Sequence, residues 1–311
     1  MLVSVIICTY KRFDAVTRLL GCLRAQTHKQ FEVLVVDGSG DAGSALRTFV
    51  EGLKPQPRVE FLASAKGLPL QRNVGLDRAK GELIMFFDDD VTFAPDFIER
   101  TVELFARSDM KTAGGATAYD TRNHPQPISW RWRLRAGLRI APQLTPGAID
   151  RLGRSIPIGF AKPFHGLLDI GYMAGFCMLY RATAIKGLRF DEAIPTYGGE
   201  DRDFSARVGK SSRLVLCGDL PIEHHCAPQS RDSDVQRTFQ AGFGIGLGFA
   251  KNATQMLDYL ELARVIICEF LVDSVACAYK PTRQKLLMPF ARTAGFFQGL
   301  RSFRASTGGT V

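Results

Sequence analysis

Four short apolar runs, separated by helical patterns and ending in polar or glycine-containing turns, restrict the fold of this chain more than any other feature. They are "VSVIICTY" from Val3, "FEVLVVD" ending at Asp37, "VEFLAS" from Val59 and "ELIMFFD" ending at Asp88. After the first run, Val16, Leu19, Leu20 and Leu23 recur at helical spacing, with Asp14 placed as the helix cap. Before the last run, "PLQRNVGLDRAK" reads as a helix with Gly81 past its end. Strands alternating with helices imply βαβ units, and right-handed crossovers make the resulting sheet parallel.

Ligands of such sheets bind beyond the carboxyl ends of the strands. Thr9 to Arg12, Asp37 to Gly40 and Asp88 to Asp90 all lie at such ends, so three polar clusters converge on one edge. The triplet Asp88, Asp89 and Asp90 follows an almost uncharged strand, and burying such acids without partners costs several kcal/mol, on the order of 3–5. They therefore face a cleft. Carboxylates at a strand end suit Mg²⁺ or Mn²⁺, which divide their coordination between protein carboxylates and a substrate's phosphates. A solvated acidic turn paired with neighbouring arginines accounts for the same residues.

Between Asp120 and Gly171 the pattern dissolves into Pro-, Arg- and Trp-rich sequence, read as a long loop with short helices over the cleft. Order returns with "GYMAGFCMLYRATAI", then a helix beginning near Glu200 and the strand-like "RLVLCGDLPIEHH". Beyond Asp232 the chain reads as helical, and "GFGIGLGFAK" permits either close helix packing or contact with lipid. The expected organisation is a domain over 1–230, with a nucleotide-binding half over 1–119 and an acceptor half over 120–230, followed by a helical extension over 231–311.

Composition narrows the partners. A hydrophobic fraction of 46% with 23% charged residues excludes global disorder. The formal charge of +9 favours an anionic partner: nucleic acid, an anionic membrane surface or a phosphorylated small molecule. The excess is concentrated in "SWRWRLRAGLR" (Ser129 to Arg139) and in the tail from Lys280 to Arg304. Met256 to Tyr279 is hydrophobic but carries Asp258, Glu261, Arg264, Glu269 and Asp273, so it is expected to be an amphipathic or core helix rather than a membrane span. The seven cysteines form no CxxC pair, Cys8, Cys177 and Cys268 sit in apolar runs, and the N-terminus lacks a signal-peptide pattern. The expectation is a cytoplasmic protein with reduced thiols.

The blocks "VSVIICTYKR", "VVDGSGD", "GLPLQRNVGLDRAKGELIMFFDDDV" and "FDEAIPTYGGEDRDFSARV" occur in the order and at the spacings that resemble the family 2 inverting glycosyltransferases of the GT-A fold. The resemblance covers roughly residues 2 to 226. It implies an α/β fold, the GT-A nucleotide-diphospho-sugar transferase fold, with a Rossmann-like mainly parallel sheet flanked by helices and a C-terminal helical extension.

The resemblance also implies roles. Thr9, Tyr10, Arg12 and Asp37 would hold the nucleoside of a nucleotide-sugar donor, and Arg72 and Asn73 would lie beside the donor, the guanidinium against phosphate. "VVDGSGD" departs from the commoner "VVDDGSTD", which leaves the base unassigned. The family's DxD motif falls on Asp88, toward the ribose, and Asp90, toward Mn²⁺ or Mg²⁺. Asp89 is the replaceable middle residue on the donor side. His224 or His225 would complete the metal site, and Gly175 would let donor and acceptor approach. Asp201 matches the catalytic base, with Glu200 as runner-up or as a ligand of acceptor hydroxyls. Glu200, Asp201 and Asp203 are equally good first-turn residues that complement a helix dipole. Trp130 and Trp132 with Arg131, Arg133 and Arg135 suit either an acceptor sugar and lipid pyrophosphate or a basic amphipathic surface helix.

The function so implied is metal-assisted transfer of a sugar, with inversion, to a saccharide or lipid-linked acceptor in polysaccharide or glycan synthesis; the basic loop and helical tail add the expectation of a peripheral contact to the inner face of the cell membrane. Two other readings were weighed. A nucleotidyltransferase would carry a Gly-rich phosphate loop after the first strand, and "CTYKRFDAV" has no glycine. A basic nucleic-acid-binding protein leaves the ordered Asp88, Asp201 and His224 unexplained, so nucleic acid is not expected as a partner.

Overall fold

A computed structural model describes residues 1–53, 57–141, 143–195, 198–226, 233–279 and 281–307. The first half follows the βαβ pattern. β1 (Val3–Thr9), α1 (Phe13–Arg24), β2 (Phe31–Asp37), α2 (Ser44–Glu51), β3 (Arg58–Ala63), α3 (Leu68–Arg78) and β4 (Leu83–Asp88) alternate, and β3, β2, β1 and β4 pair in parallel. Alternation along β1 divides the core between the two faces of the sheet. Val3, Val5 and Ile7 pack with Val16, Leu19, Leu20 and Leu23 of α1, whereas Ile6 faces Leu34, Val36, Ile84 and Phe86 on the other side. Asp14 is not the helix cap. Arg12 occupies the cap position and Asp14 lies in the first turn, where its charge complements the exposed amide groups.

The second half is mixed. It comprises β5 (Val91–Thr92), α4 (Phe97–Ala106), β6 (Ala113–Asp120), α5 (Trp130–Gly137), β7 (Leu167–Ile170), β8 (Cys177–Arg181), α6 (Glu200–Gly209) and β9 (Arg213–His224). The sheet order is β3-β2-β1-β4-β8-β6-β9-β5, with β7 also on β9. β8 runs antiparallel to both β4 and β6, while β6 and β9 are parallel. Much of 121–166 is irregular as expected, but Leu167–Ile170 is a strand, antiparallel to Leu214–Cys217.

Three helices complete the chain: α7 (Asp234–Asn252), α8 (Met256–Tyr279) and α9 (Arg283–Thr307). The expected domain boundary near residue 230 lies outside the described residues. The small-residue run resolves into close helix packing. A Cβ on Gly242 or Gly246 would fall 2.2 Å from the carbonyl oxygens of Arg292 and Phe296, and one on Gly295 or Gly299 would fall 2.0 or 2.2 Å from those of Phe239 and Phe243. Two Gly-xxx-Gly notches therefore seat α7 and α9 backbone against backbone.

The acids of α8 are all ion-paired, and Asp258, Glu269 and Asp273 are buried. Asp258 is paired with Arg151, Glu261 with Arg154 and Arg264, Glu269 with Arg135 and Arg292, and Asp273 with Arg292. Among the described residues no helix is long and apolar enough to cross a membrane, and all seven cysteines are unbridged. On α5, Arg135 is buried against Glu269 with its guanidinium 5.2 Å from the Trp132 ring. Arg135 thereby joins α5 to α8, and Trp132 packs edge-on against Phe160 at 5.6 Å.

Candidate active site

The carboxyl ends of β1 and β4, the approach to β8, the start of α6 and the end of β9 enclose a cleft of about 690 Å³. Thr9, Tyr10 and Arg12 line it from β1, Arg72 from α3, and Asp88 and Asp89 from β4. Gly175 enters before β8, Glu200 and Asp201 from the first turn of α6, and His224 from β9. Residues more than two hundred positions apart meet there because β4 is central and β9 curls back toward its end.

Asp88, Asp90 and His224 each present one donor atom, all within 4.8 Å of one another. His224 Nε2 lies 3.1 Å from Asp90 Oδ1 and 4.0 Å from Asp88 Oδ2. Two carboxylate oxygens and an imidazole nitrogen at this spacing fit a divalent cation, which relieves the repulsion between the acids. The ring of His224 is held by a stacked Phe176 at 5.1 Å, and its backbone by Asn123, which donates to the His224 carbonyl at 2.6 Å. Burial alone would lower the His224 pKa, but the Asp90 hydrogen bond and the charges of Asp88 and Asp90 outweigh it and raise it. Burial pushes Asp88 above the ordinary carboxylate range against the opposing charge of Arg72.

Asp89, expected as the replaceable middle residue, has partners of its own. It is buried and accepts hydrogen bonds from Thr9 Oγ1 and Arg12 Nη1, both at 2.8 Å, tying the end of β1 to the acidic turn. Its carboxyl is pushed up to about 6 by burial, against the charge of Arg12.

Arg72 links the acidic turn to the start of α6. Its guanidinium lies 3.1 Å from Glu200 Oε1 and 3.7 Å from Asp88 Oδ1, and it donates to the Gly175 carbonyl at 3.4 Å. Glu200 is buried, its carboxyl raised to about 7 by burial and by neighbouring Asp201, and its Oε2 has no hydrogen-bond partner among the described residues. Asp201 is oriented by two backbone amides: Gly175 donates to Oδ2 at 3.0 Å and Arg202 to Oδ1 at 2.8 Å. A Cβ at Gly175 would stand 2.7 Å from Arg72 Nη2 and 3.6 Å from Asp201 Oδ2. The glycine therefore keeps these two groups close.

Three expected residues stand apart from this cluster. Asn73 points away, donating to the Phe190 carbonyl and to Glu192 and accepting from the Phe190 amide, so it fixes the 190–192 segment. His225 Nε2 lies 2.7 Å from Thr92 Oγ1 on β5, leaving His224 as the histidine beside Asp88 and Asp90. Asp37 is buried at the end of β2, where Oδ1 accepts from the amide and hydroxyl of Ser39 at 2.9 and 2.5 Å.

Other residues complete the cleft without a signal in the motifs. Gln71 donates to the carbonyls of Thr9 and Val36, Lys66 lies 4.5 Å over the Tyr10 ring, and Gln236 and Gln240 enter from α7. The adjacency of Gln71 to Arg72 and the i, i+4 spacing of the two α7 glutamines were the available signals.

Residues 4–189 match the family model described as glycosyl transferase family 2. Over 253 residues the chain is 26% identical to the succinoglycan biosynthesis protein ExoM of Rhizobium meliloti (strain 1021), a match that spans 79% of this chain and 75% of ExoM. The mannosyltransferase PcManGT from Pyrobaculum calidifontis, solved in complex with GDP-Man and Mn²⁺, aligns with a TM-score of 0.57 at 16% identity, over 99% of this chain and 87% of its own. S. aureus TarS 1–349, solved with UDP-GlcNAc, gives a TM-score of 0.59 at 16% identity, over 97% of this chain and 83% of its own. The fold is thus the GT-A fold expected from the ordered blocks.

Proposed function

The chain belongs to glycosyl transferase family 2, and on that footing we propose that it moves a sugar from a nucleotide-sugar donor to a hydroxyl of a saccharide or lipid-linked acceptor, with inversion and the help of Mn²⁺ or Mg²⁺. The observation that carries this reading is the juxtaposition of the Asp88, Asp90 and His224 cluster, whose Asp88 and His224 line the cleft, with Glu200 and Asp201 at the start of α6 in the same cleft. Family membership sets aside the nucleotidyltransferase and nucleic-acid-binding readings.

Asp88, Asp90 and His224 would hold the cation, which when bound offsets the charge that develops on the departing nucleoside diphosphate. Arg72 keeps the acidic turn and α6 at fixed separation. Asp201, fixed by the Gly175 and Arg202 amides, accepts the proton of the acceptor hydroxyl. As that oxygen bonds to the anomeric carbon, the bond from this carbon to the phosphate oxygen breaks on the opposite face and its electron pair leaves with the diphosphate. Glu200, whose Oε2 has no partner among the described residues, would accept from a second acceptor hydroxyl. Thr9, Tyr10 and Arg12 border the nucleoside end of the cleft. GDP-Man in PcManGT and UDP-GlcNAc in TarS support a nucleoside-diphosphate sugar as donor, and the name of ExoM supports a growing polysaccharide as acceptor.

Calorimetric titration of UDP and of GDP, with and without Mn²⁺, tests the reading. Binding should require the metal, and Asp90→Ala should weaken it at least tenfold, about 1.4 kcal/mol. Unchanged metal-dependent binding in that variant would remove Asp90 from the role.

A further inference from the structure

Helix α8 is amphipathic in the reverse sense from an ordinary surface helix. Its buried face carries Asp258, Glu269 and Asp273 beside Leu262, Val265 and Val272, whereas its solvent face carries Met256, Leu260, Ile267, Leu271 and Val275. These five recur at helical spacing with Ala263, and each is between 50% and 77% exposed. From Met256 to Val275 the stripe is about 28 Å long at 1.5 Å per residue. Its one charged residue, Arg264, four positions after Leu260 and three before Ile267, turns its guanidinium to Glu261 and to the Leu138 and Arg139 carbonyls. α9 continues the surface: Leu287, Phe290, Ala294 and Phe297 are exposed on one face, and the Phe290 ring lies 5.5 Å from Phe270 of α8.

Charge surrounds this apolar face in one sign. The α9 stripe runs between exposed Arg283 and Arg301, and α9 contains no acidic residue. On the other flank, Arg264 donates to the carbonyls of Leu138 and Arg139, which brings exposed Arg139 and the end of α5 alongside α8. Trp130, at the start of α5, is 43% exposed with the Arg131 guanidinium 5.9 Å from its ring centre. All four acids of α8 are committed to ion pairs, and α5 has none.

We infer that the outer face of α8 and α9, rimmed by the arginines of α5 and α9, docks on the surface of an anionic phospholipid bilayer. A long, mostly apolar face suits the boundary between headgroups and acyl chains, where Arg264 and the arginine rim meet anionic headgroups. A second copy of the chain is the poorer occupant: self-docking would bring one arginine rim against another with no exposed acid on these helices to receive it. A spanning helix is not required, and none of sufficient length and apolarity is present among the described residues. α7 packs on α9 through the glycine notches and carries Gln236 and Gln240 into the cleft, so docking would also fix the cleft relative to the bilayer. The inference stands on the helix faces and needs none of the transfer chemistry.

Co-sedimentation of the full chain with vesicles tests it. Binding is expected to vesicles of phosphatidylglycerol mixed with phosphatidylcholine, to weaken with added salt, and to fall at least tenfold on phosphatidylcholine alone. The doubly substituted chain I267E with F290E should lose at least tenfold on anionic vesicles, while its melting temperature and nucleoside-diphosphate binding stay those of the parent. R283Q with R301Q should weaken binding to anionic vesicles and leave the residual binding to neutral vesicles unchanged. Equal vesicle binding by I267E with F290E would overturn the inference. So would a parent chain that ignores vesicles and is a dimer by light scattering, with the I267E and F290E substitutions making it monomeric.

Discussion

The network that joins α5, α8 and α9 gives the most quantitative prediction. Arg135 donates twice to Glu269, from Nε and Nη2, each at 2.7 Å, with side chains only 11% and 7% exposed. Arg292 bridges on to Asp273 at 2.6 Å. At an effective dielectric of about 20, the attraction across 2.7 Å is about 6 kcal/mol before desolvation. Burial of the two charges cancels most of this, whereas removal of Glu269 leaves Arg135 buried without its counter-charge and removal of Arg135 leaves Glu269 with only the longer Arg292 contact, at 3.5 Å. Glu269→Leu alone should therefore cost about 3–5 kcal/mol, Arg135→Met alone somewhat less at about 2–4 kcal/mol, and the double variant less than about 2 kcal/mol. Arg292 keeps Asp273 in every case. The chain's two tryptophans, Trp130 and Trp132, both lie on α5, so urea titrations followed by tryptophan fluorescence report on this docking directly. Single variants within about 1 kcal/mol of the parent, or a double variant as costly as both singles together, would refute the reasoning. The pH dependence adds a check. Burial would raise the Glu269 pKa, but the Arg135 hydrogen bonds and the charges of Arg292 and Arg135 hold it below the usual 4.5. A depressed carboxyl contributes stability above the unfolded value and loses it as pH falls through the folded one, so the gap between parent and Glu269→Leu should narrow below about pH 4.5.

Three shorter predictions follow from the same geometry. Gly246→Ala places a Cβ 2.2 Å from the Phe296 carbonyl and should lower stability by about 1–3 kcal/mol, while Gly21→Ala, with nothing within 4 Å on exposed α1, should raise it by about 0.5–1 kcal/mol; thermal melts of the pair separate crowding from helix propensity. Asp201→Asn should retain donor binding in calorimetry and lose more than about a hundredfold in transfer rate, and comparable turnover would count decisively against it as the base. Asp89→Ala removes the acceptor of Thr9 and Arg12 and should cost about 1–3 kcal/mol in chemical denaturation; a neutral outcome would support the view of it as an interchangeable middle residue.

The parallel half of the sheet was legible because each of its strands is a contiguous apolar run, and β1, β2 and β3 are neighbours both in sequence and in space. β7 escaped notice because Leu167–Ile170 is four residues long with an exposed Asp169, and only the distant β9 makes it a strand. Within the cleft, residue types located the acids but not their orientations. Asp89 turned inward because Thr9 and Arg12 from another strand meet it, and Asn73 turned outward because the Phe190 backbone satisfies both ends of its amide. His224 and His225 are indistinguishable in sequence, but alternation along an extended backbone sends one to Asp90 and the other to Thr92. Arg135 read as either a ligand for an acceptor's pyrophosphate or a surface charge, because its partner, Glu269, lies 134 residues away.

The antiparallel pairing of β4 with β8 has a consequence for the chain as it is made. Roughly ninety residues separate the end of β4 from the end of β8, so on a ribosome adding about 5–20 residues per second, β4 waits some 5–20 s with one edge open. During that interval "LIMFF" is an uncapped apolar edge of the kind that recruits foreign strands, and the charges of Asp88, Asp89 and Asp90 stand at its end as gatekeepers. Nascent chains arrested near residue 160 should accordingly aggregate more when those three aspartates are replaced by asparagine, and an unchanged aggregation rate would separate the triplet's chemistry in the cleft from any part in biogenesis.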